Sequence, residues 1–118
     1  MSLSVTTEAV LDRHLAAFGA GDIDAILENY MPDAAILFGD KLYQGELEIR
    51  SLFEKLIEAF SGDDTKFEML VKNVYGEIAL FTWKAETGDT VFELGVDTVL
   101  VRGGKIAYQT AASKAIDK

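Results

Sequence analysis

Leu11, His14, Leu15 and Phe18 recur at i, i+3, i+4 and i+7, the spacing that lines one face of an α-helix. This spacing predicts a first helix over residues 7–20, closed by Gly19 and Gly21. Ile23, Ile26, Leu27 and Tyr30 repeat the pattern behind Gly21 or Asp22 as N-cap, and Pro32 marks the stop, so a short second helix is expected. Residues 34–38 are a brief apolar run between Asp33 and Gly39 that suits a short buried strand. Gly45 then opens a longer amphipathic segment. Ile49, Leu52, Phe53, Leu56 and Phe60 make its apolar stripe, and the polar loop 61–64 ends it.

From Lys66 onward the period changes. Residues 66–75, 77–87, 90–101 and 105–112 read as strands separated by Gly76, by Gly88-Asp89 and by Gly103-Gly104, short connections that make antiparallel hairpins in series. The order is helix, helix, short strand, helix, then four long strands. It predicts an α+β domain with three N-terminal helices packed on a strongly curved antiparallel sheet, closed around an apolar pocket. Alternation puts Ala79, Phe81, Trp83 and Ala85 on one face of the second long strand. In the third it separates Phe92, Leu94, Val96, Thr98 and Leu100 from Val91, Glu93, Gly95, Asp97, Val99 and Val101. Both faces are apolar at the centre, so both should be covered, one by the helices and the other by a second subunit in a homodimer.

The chain has 118 residues, enough for one domain spanning residues 1–118 with a single core. Hydrophobic residues make up 49% and charged residues 26%, a balance that offsets the entropy cost of ordering and excludes a disordered chain. A net charge of −9 repels nucleic-acid phosphates and anionic lipid headgroups, so neither is expected as a partner. Cysteine is absent and histidine occurs once, which removes disulfides, thiolate chemistry and multi-histidine metal sites. No stretch approaches the ~18 apolar residues of a membrane span, and a cytoplasmic location is the expectation.

Two polar residues break the apolar pattern. His14 lies on the core stripe of helix one, and Asp97 stands in mid-strand among apolar neighbours, far from any turn. Aspartate is disfavoured in strand interiors and costs free energy when buried without a partner. Each has a plain structural reading, a satisfied core histidine and a structural hydrogen-bond acceptor. Each also has a chemical one, as half of a histidine–carboxylate pair.

Three segments carry a resemblance. Residues 13–35, beginning Arg13-His14-Leu15 and ending Asp33-Ala34-Ala35, residues 43–53, Tyr43 to Phe53, and residues 95–106, Gly95 to Ile106, resemble the nuclear transport factor 2-like superfamily. That superfamily includes the SnoaL-like cyclases, ketosteroid isomerase, scytalone dehydratase and limonene epoxide hydrolase. The resemblance implies a cone of three helices on a curved sheet, commonly dimeric, and leaves the reaction open because one scaffold hosts many activities. Laid along ketosteroid isomerase, it puts His14 at the oxyanion-hole tyrosine and Asp97 at the aspartic acid kept protonated by an apolar site. The general base of that enzyme falls on Phe38, which accepts no proton, and Asp40 lies two residues further on in a turn.

His14 and Asp97 are accordingly the candidate catalytic residues. In one arrangement ionised Asp97 orients His14 as general base or acid; in the other a protonated Asp97 donates to a carbonyl oxygen beside His14. Phe18, Tyr30, Phe38, Phe53, Leu56, Phe81, Trp83 and Val99 are expected on the wall of a pocket for a small apolar molecule. Gln109 is a further hydrogen-bonding candidate on a strand read as an edge. Isomerisation, cyclisation or dehydration by such a pair needs neither cofactor nor metal. A non-catalytic binding module and a dimerising interaction domain with a filled cavity are the alternatives.

Overall fold

The computed structural model describes residues 2–118. The elements run α1 (Leu3–Ala20), α2 (Ile23–Glu28), β1 (Tyr30–Phe38), β2 (Lys41–Gln44), α3 (Gly45–Ala59), β3 (Lys66–Tyr75), β4 (Ile78–Glu86), β5 (Thr90–Arg102) and β6 (Lys105–Asp117). Ser2 caps α1 by accepting from the Val5 amide at 3.2 Å, and the helix ends at Gly21 in the left-handed conformation with φ 67°. Thr7, Val10, Leu11, His14 and Ala17 are its buried stripe. Asp22 caps α2 through Ala25 N–H at 3.1 Å.

The six strands form one mixed sheet in the order β2-β1-β6-β5-β4-β3. All neighbours are antiparallel except β1 and β6, which run parallel. The sheet curves around the three helices without closing, the α+β cone expected from the sequence. Register shifts between Met69 and Val71, between Trp83 and Ala85, and between Phe92 and Leu94 interrupt three adjoining strands. Bulges of this kind bend a strand and strengthen its twist, which is how the long strands come to wrap α1 and α3.

Several boundaries differ from the sequence reading, each for a physical reason. Tyr30 begins β1 rather than ending α2, because Asn29 caps that helix and its carbonyl accepts from Ile106 N–H at 2.7 Å, drawing the chain into the sheet. Pro32 then falls inside β1, where the pairing with β6 slips between Tyr30 and Ala35, a place where a missing N–H costs no ladder bond. Residues 41–44 add a sixth strand. The parallel β1–β6 pairing puts β6 in the interior of the sheet, so Gln109 lies on a covered strand and not on an edge.

The core sits between the helices and the concave face, with Val10, Leu11, Ile26, Ile36, Ile49 and Ile106 at or near zero exposure. Thr7 donates to the Gly76 carbonyl at 2.6 Å and Ser4 accepts from the Gly76 amide at 2.9 Å, which ties α1 to the β3–β4 turn. On the convex face Tyr75, Ile78, Leu100 and Tyr108 stand in register across β3, β4, β5 and β6. Tyr75, Ile78 and Tyr108 are exposed.

Candidate active site

Between α1, α3 and the concave face lies a cavity of about 90 Å³. Its wall includes His14 and Phe18 from α1, Leu52, Phe53 and Leu56 from α3, Phe38 from β1, Phe81 and Trp83 from β4, Asp97 from β5 and Gln109 from β6. The structure thus brings together every predicted site residue except Tyr30 and Val99. Val99 is fully buried between its strand neighbours Ala79 and Gln109. Tyr30 stands behind the wall, with its ring edge-on to His14 and its hydroxyl turned to the amide of Gln109.

Asp97 is 8% exposed and both carboxylate oxygens are engaged. Trp83 Nε1–H donates to Oδ1 at 3.0 Å and Gln109 Nε2–H donates to Oδ2 at 2.9 Å. Gln109 Oε1 in turn accepts from the Tyr30 hydroxyl, giving a continuous path Tyr30–Gln109–Asp97–Trp83. Burial pushes the Asp97 carboxyl above the ordinary aspartate value, and the two N–H donors oppose that rise. Among the described residues Asp97 has no cationic partner. The same burial, with the charge of Asp97 nearby, pushes the Tyr30 phenol well up, so Tyr30 is a donor and not a phenolate.

His14 is held differently. Its ring meets Tyr30 and Phe53 edge to face, each at 5.6 Å between centroids. Its Nδ1 is sealed off with no hydrogen-bond partner among the described residues, so Nε2 is the nitrogen open to a ligand. Burial lowers its pKa from 6.5 to about 4, and the ring is neutral at pH 7. His14 and Asp97 share the cavity wall but are not hydrogen-bonded to each other: the partners of Asp97 are Trp83 and Gln109. An imidazole oriented by the carboxylate, one of the two arrangements expected from the sequence, is therefore not what the fold builds.

Phe38 does line the cavity, at the end of β1, while Asp40 lies exposed in the following turn. Among the described residues no three His, Cys, Asp or Glu side chains group closely enough to hold a metal ion, and no helix is long and apolar enough to cross a membrane.

Sequence reasoning missed the aromatic end of the cavity. Phe60, Phe67 and Phe92 join Trp83 there, with ring centroids 5.2 to 6.2 Å apart. Strict alternation puts Phe92 on the face opposite Asp97. The bulge between Phe92 and Leu94 inserts one residue and flips that parity, so both side chains face inward. Phe60 carried a signal, since it continues the apolar stripe of α3.

No curated protein matches the chain. Solved structures do. A candidate ketosteroid isomerase from Kribbella flavida superposes with a TM-score of 0.81 at 13% identity, over 97% of this chain and 82% of that one. A nuclear transport factor 2-like protein of unknown function from Mesorhizobium loti gives 0.80 at 19% identity, over 97% and 95%. A candidate polyketide cyclase from Sinorhizobium meliloti gives 0.73 at 24% identity, over 87% and 93%. At such identities the likeness is one of fold. The sequence itself matches the SnoaL-like domain over residues 11–109, and the chain belongs to that family, within the nuclear transport factor 2-like superfamily.

Proposed function

We propose that the chain is a cofactor-independent proton-transfer enzyme of the isomerase, cyclase or dehydratase kind, acting on a small apolar compound that bears a carbonyl or hydroxyl oxygen. The observation that carries this reading is Asp97, a carboxyl buried on the wall of a largely apolar cavity and met, among the described residues, by two N–H donors but no cation. Carboxyls perturbed by burial inside clefts gather at functional sites.

In this reading ionised Asp97 takes a proton from the carbon beside the carbonyl. The electron pair of the broken C–H bond moves onto oxygen as an enolate, and neutral His14 donates its N–H to that oxygen. Return of the same proton from Asp97 to a different carbon completes an isomerisation. Delivery to a hydroxyl that leaves as water while the double bond forms completes a dehydration. Asp97 ends each cycle ionised, as it began. His14 is better suited to donate than to act as base, because a ring with a pKa of about 4 holds a proton weakly. A neutral imidazole that polarises a carbonyl is an established device.

The test is deuterium incorporation from solvent into cyclohex-2-enone. Wild-type protein should accelerate exchange at the carbons acidified by the carbonyl, and Asp97→Asn should lower the rate at least ~100-fold, the scale of a lost general base. Equal rates in the two proteins would remove Asp97 from the chemistry.

A second reading is favoured by Phe38, which stands where the resemblance to ketosteroid isomerase places a base and leaves the wall without a second acid–base pair. The site is then a non-catalytic binding pocket, and saturable binding survives Asp97→Asn. In either reading the exposed row of Tyr75, Ile78 and Tyr108 supports a homodimer joined through the convex face.

A further inference from the structure

Trp83 and Gly95 are directly paired across β4 and β5. A β-carbon placed on Gly95 would stand 1.9 Å from Cε2 of the indole, 2.2 Å from Cζ2 and 2.5 Å from Cδ2. The indole therefore lies flat on the backbone of Gly95, in space that any other residue would fill. Glycine in a strand interior weakens it and often marks such a close approach. From this seat Nε1 reaches over to Oδ1 of Asp97, two residues along the same face. The outer side of the indole is held as well: Phe67 stacks on it at 5.6 Å with an interplanar angle of 26°, and Phe60 and Phe92 close its edges at 6.2 and 5.7 Å.

The bulkiest side chain of the chain is thus clamped across one end of the cavity, with its single polar atom bonded to the Asp97 carboxyl. Swinging the indole aside would strip a buried carboxyl of a donor, which is costly. What remains beside it is about 90 Å³. An apolar cavity of ~150 Å³ is known to accept benzene, and this space is smaller, so it leaves room for a short chain or one small ring at most.

We infer that Trp83, seated on Gly95, sets the upper size of the ligand, so that the site takes single-ring or short-chain oxygen compounds and rejects fused-ring ones. The inference rests on the reading above that the cavity is a ligand site. Gly95 acts only through Trp83 and is a positioning residue.

The test is calorimetric titration of wild type, Trp83→Ala and Trp83→Leu with cyclohex-2-enone, a two-ring octalone and a four-ring steroid enone. Circular dichroism identifies the variants that fold, and Trp83→Leu substitutes if Trp83→Ala does not. Wild type should bind the single ring and discriminate at least tenfold against the octalone and the steroid. The folded variant should gain at least tenfold for the octalone relative to wild type. Equal affinity of wild type for one, two and four rings would overturn the size limit alone, as would a folded variant with no gain. Absence of binding by every compound to every protein would overturn the ligand-site reading beneath it.

Discussion

The indole N–H of Trp83 donates to Oδ1 of Asp97 at 3.0 Å, across a glycine that leaves the ring no lateral clearance. The bond joins adjacent strands and fixes one oxygen of the only carboxyl that lines the cavity among the described residues. Trp83→Phe keeps an aromatic ring on Gly95 and deletes the donor. Because that donor holds the carboxyl down against burial, its loss should raise the Asp97 pKa further. Carbon-13 NMR of labelled aspartate in the variant checks the direction, and a fall would contradict the geometry.

Gly95→Ala should destabilise the fold by about 1–3 kcal/mol, the usual cost of forcing an atom into filled space. The new methyl meets the ring system itself, which cannot yield like the end of a flexible chain. Urea unfolding measures the loss. The fluorescence of Trp83, the sole tryptophan, should shift at the same time as its indole leaves the Asp97 carboxyl. An alanine variant with native stability and an unchanged spectrum would show that the ring is not seated as described.

His14 makes stability depend on pH. Its pKa falls from 6.5 in the unfolded chain to about 4 in the fold, so the unfolded state binds more protons throughout that window. Stability is undiminished above pH 6.5 and is lost as pH drops towards 4, by about 3 kcal/mol in total from this group. Asp97 works the other way: its raised pKa means that neutralisation in acid relieves a burial cost. His14→Phe keeps the edge-to-face contacts with Tyr30 and Phe53 and removes the proton site. The variant should lose the His14 share of the acid-side fall between pH 6.5 and 4, read from urea midpoints, while a slope equal to wild type would place the titration elsewhere.

The fold was legible where periodicity was unbroken. The stripe around Leu11, His14 and Phe18 and the stripe from Ile49 to Phe60 gave α1 and α3, and the glycine turns gave the long strands. Legibility failed where one residue changes parity or pairing. Alternation alone puts Phe92 on the wrong face because a bulge is invisible to a period of two, and Gln109 reads as an edge residue because nothing local announces a parallel β1–β6 pairing. His14 and Asp97 stood out as polar breaks in apolar patterns. That they would meet Tyr30, Phe53, Trp83 and Gln109 rather than each other depends on strand register and side-chain direction, which no single segment encodes.

The convex face supplies a test of assembly. Ile78 and Tyr108 stand in one row through Leu100 and are about half exposed. Ile78→Lys together with Tyr108→Lys should convert a dimer to a monomer in sedimentation equilibrium with the helical signal intact. A monomeric wild type would contradict the proposed assembly.

Asp97 should be a proton carrier that faces the ligand. Titration of the carbon-13-labelled Asp97 carboxyl, with and without saturating cyclohex-2-enone, measures this. The prediction is a pKa above the ordinary aspartate value that moves further when the enone binds. A carboxyl that titrates at or below that value and is unmoved by the enone would contradict it.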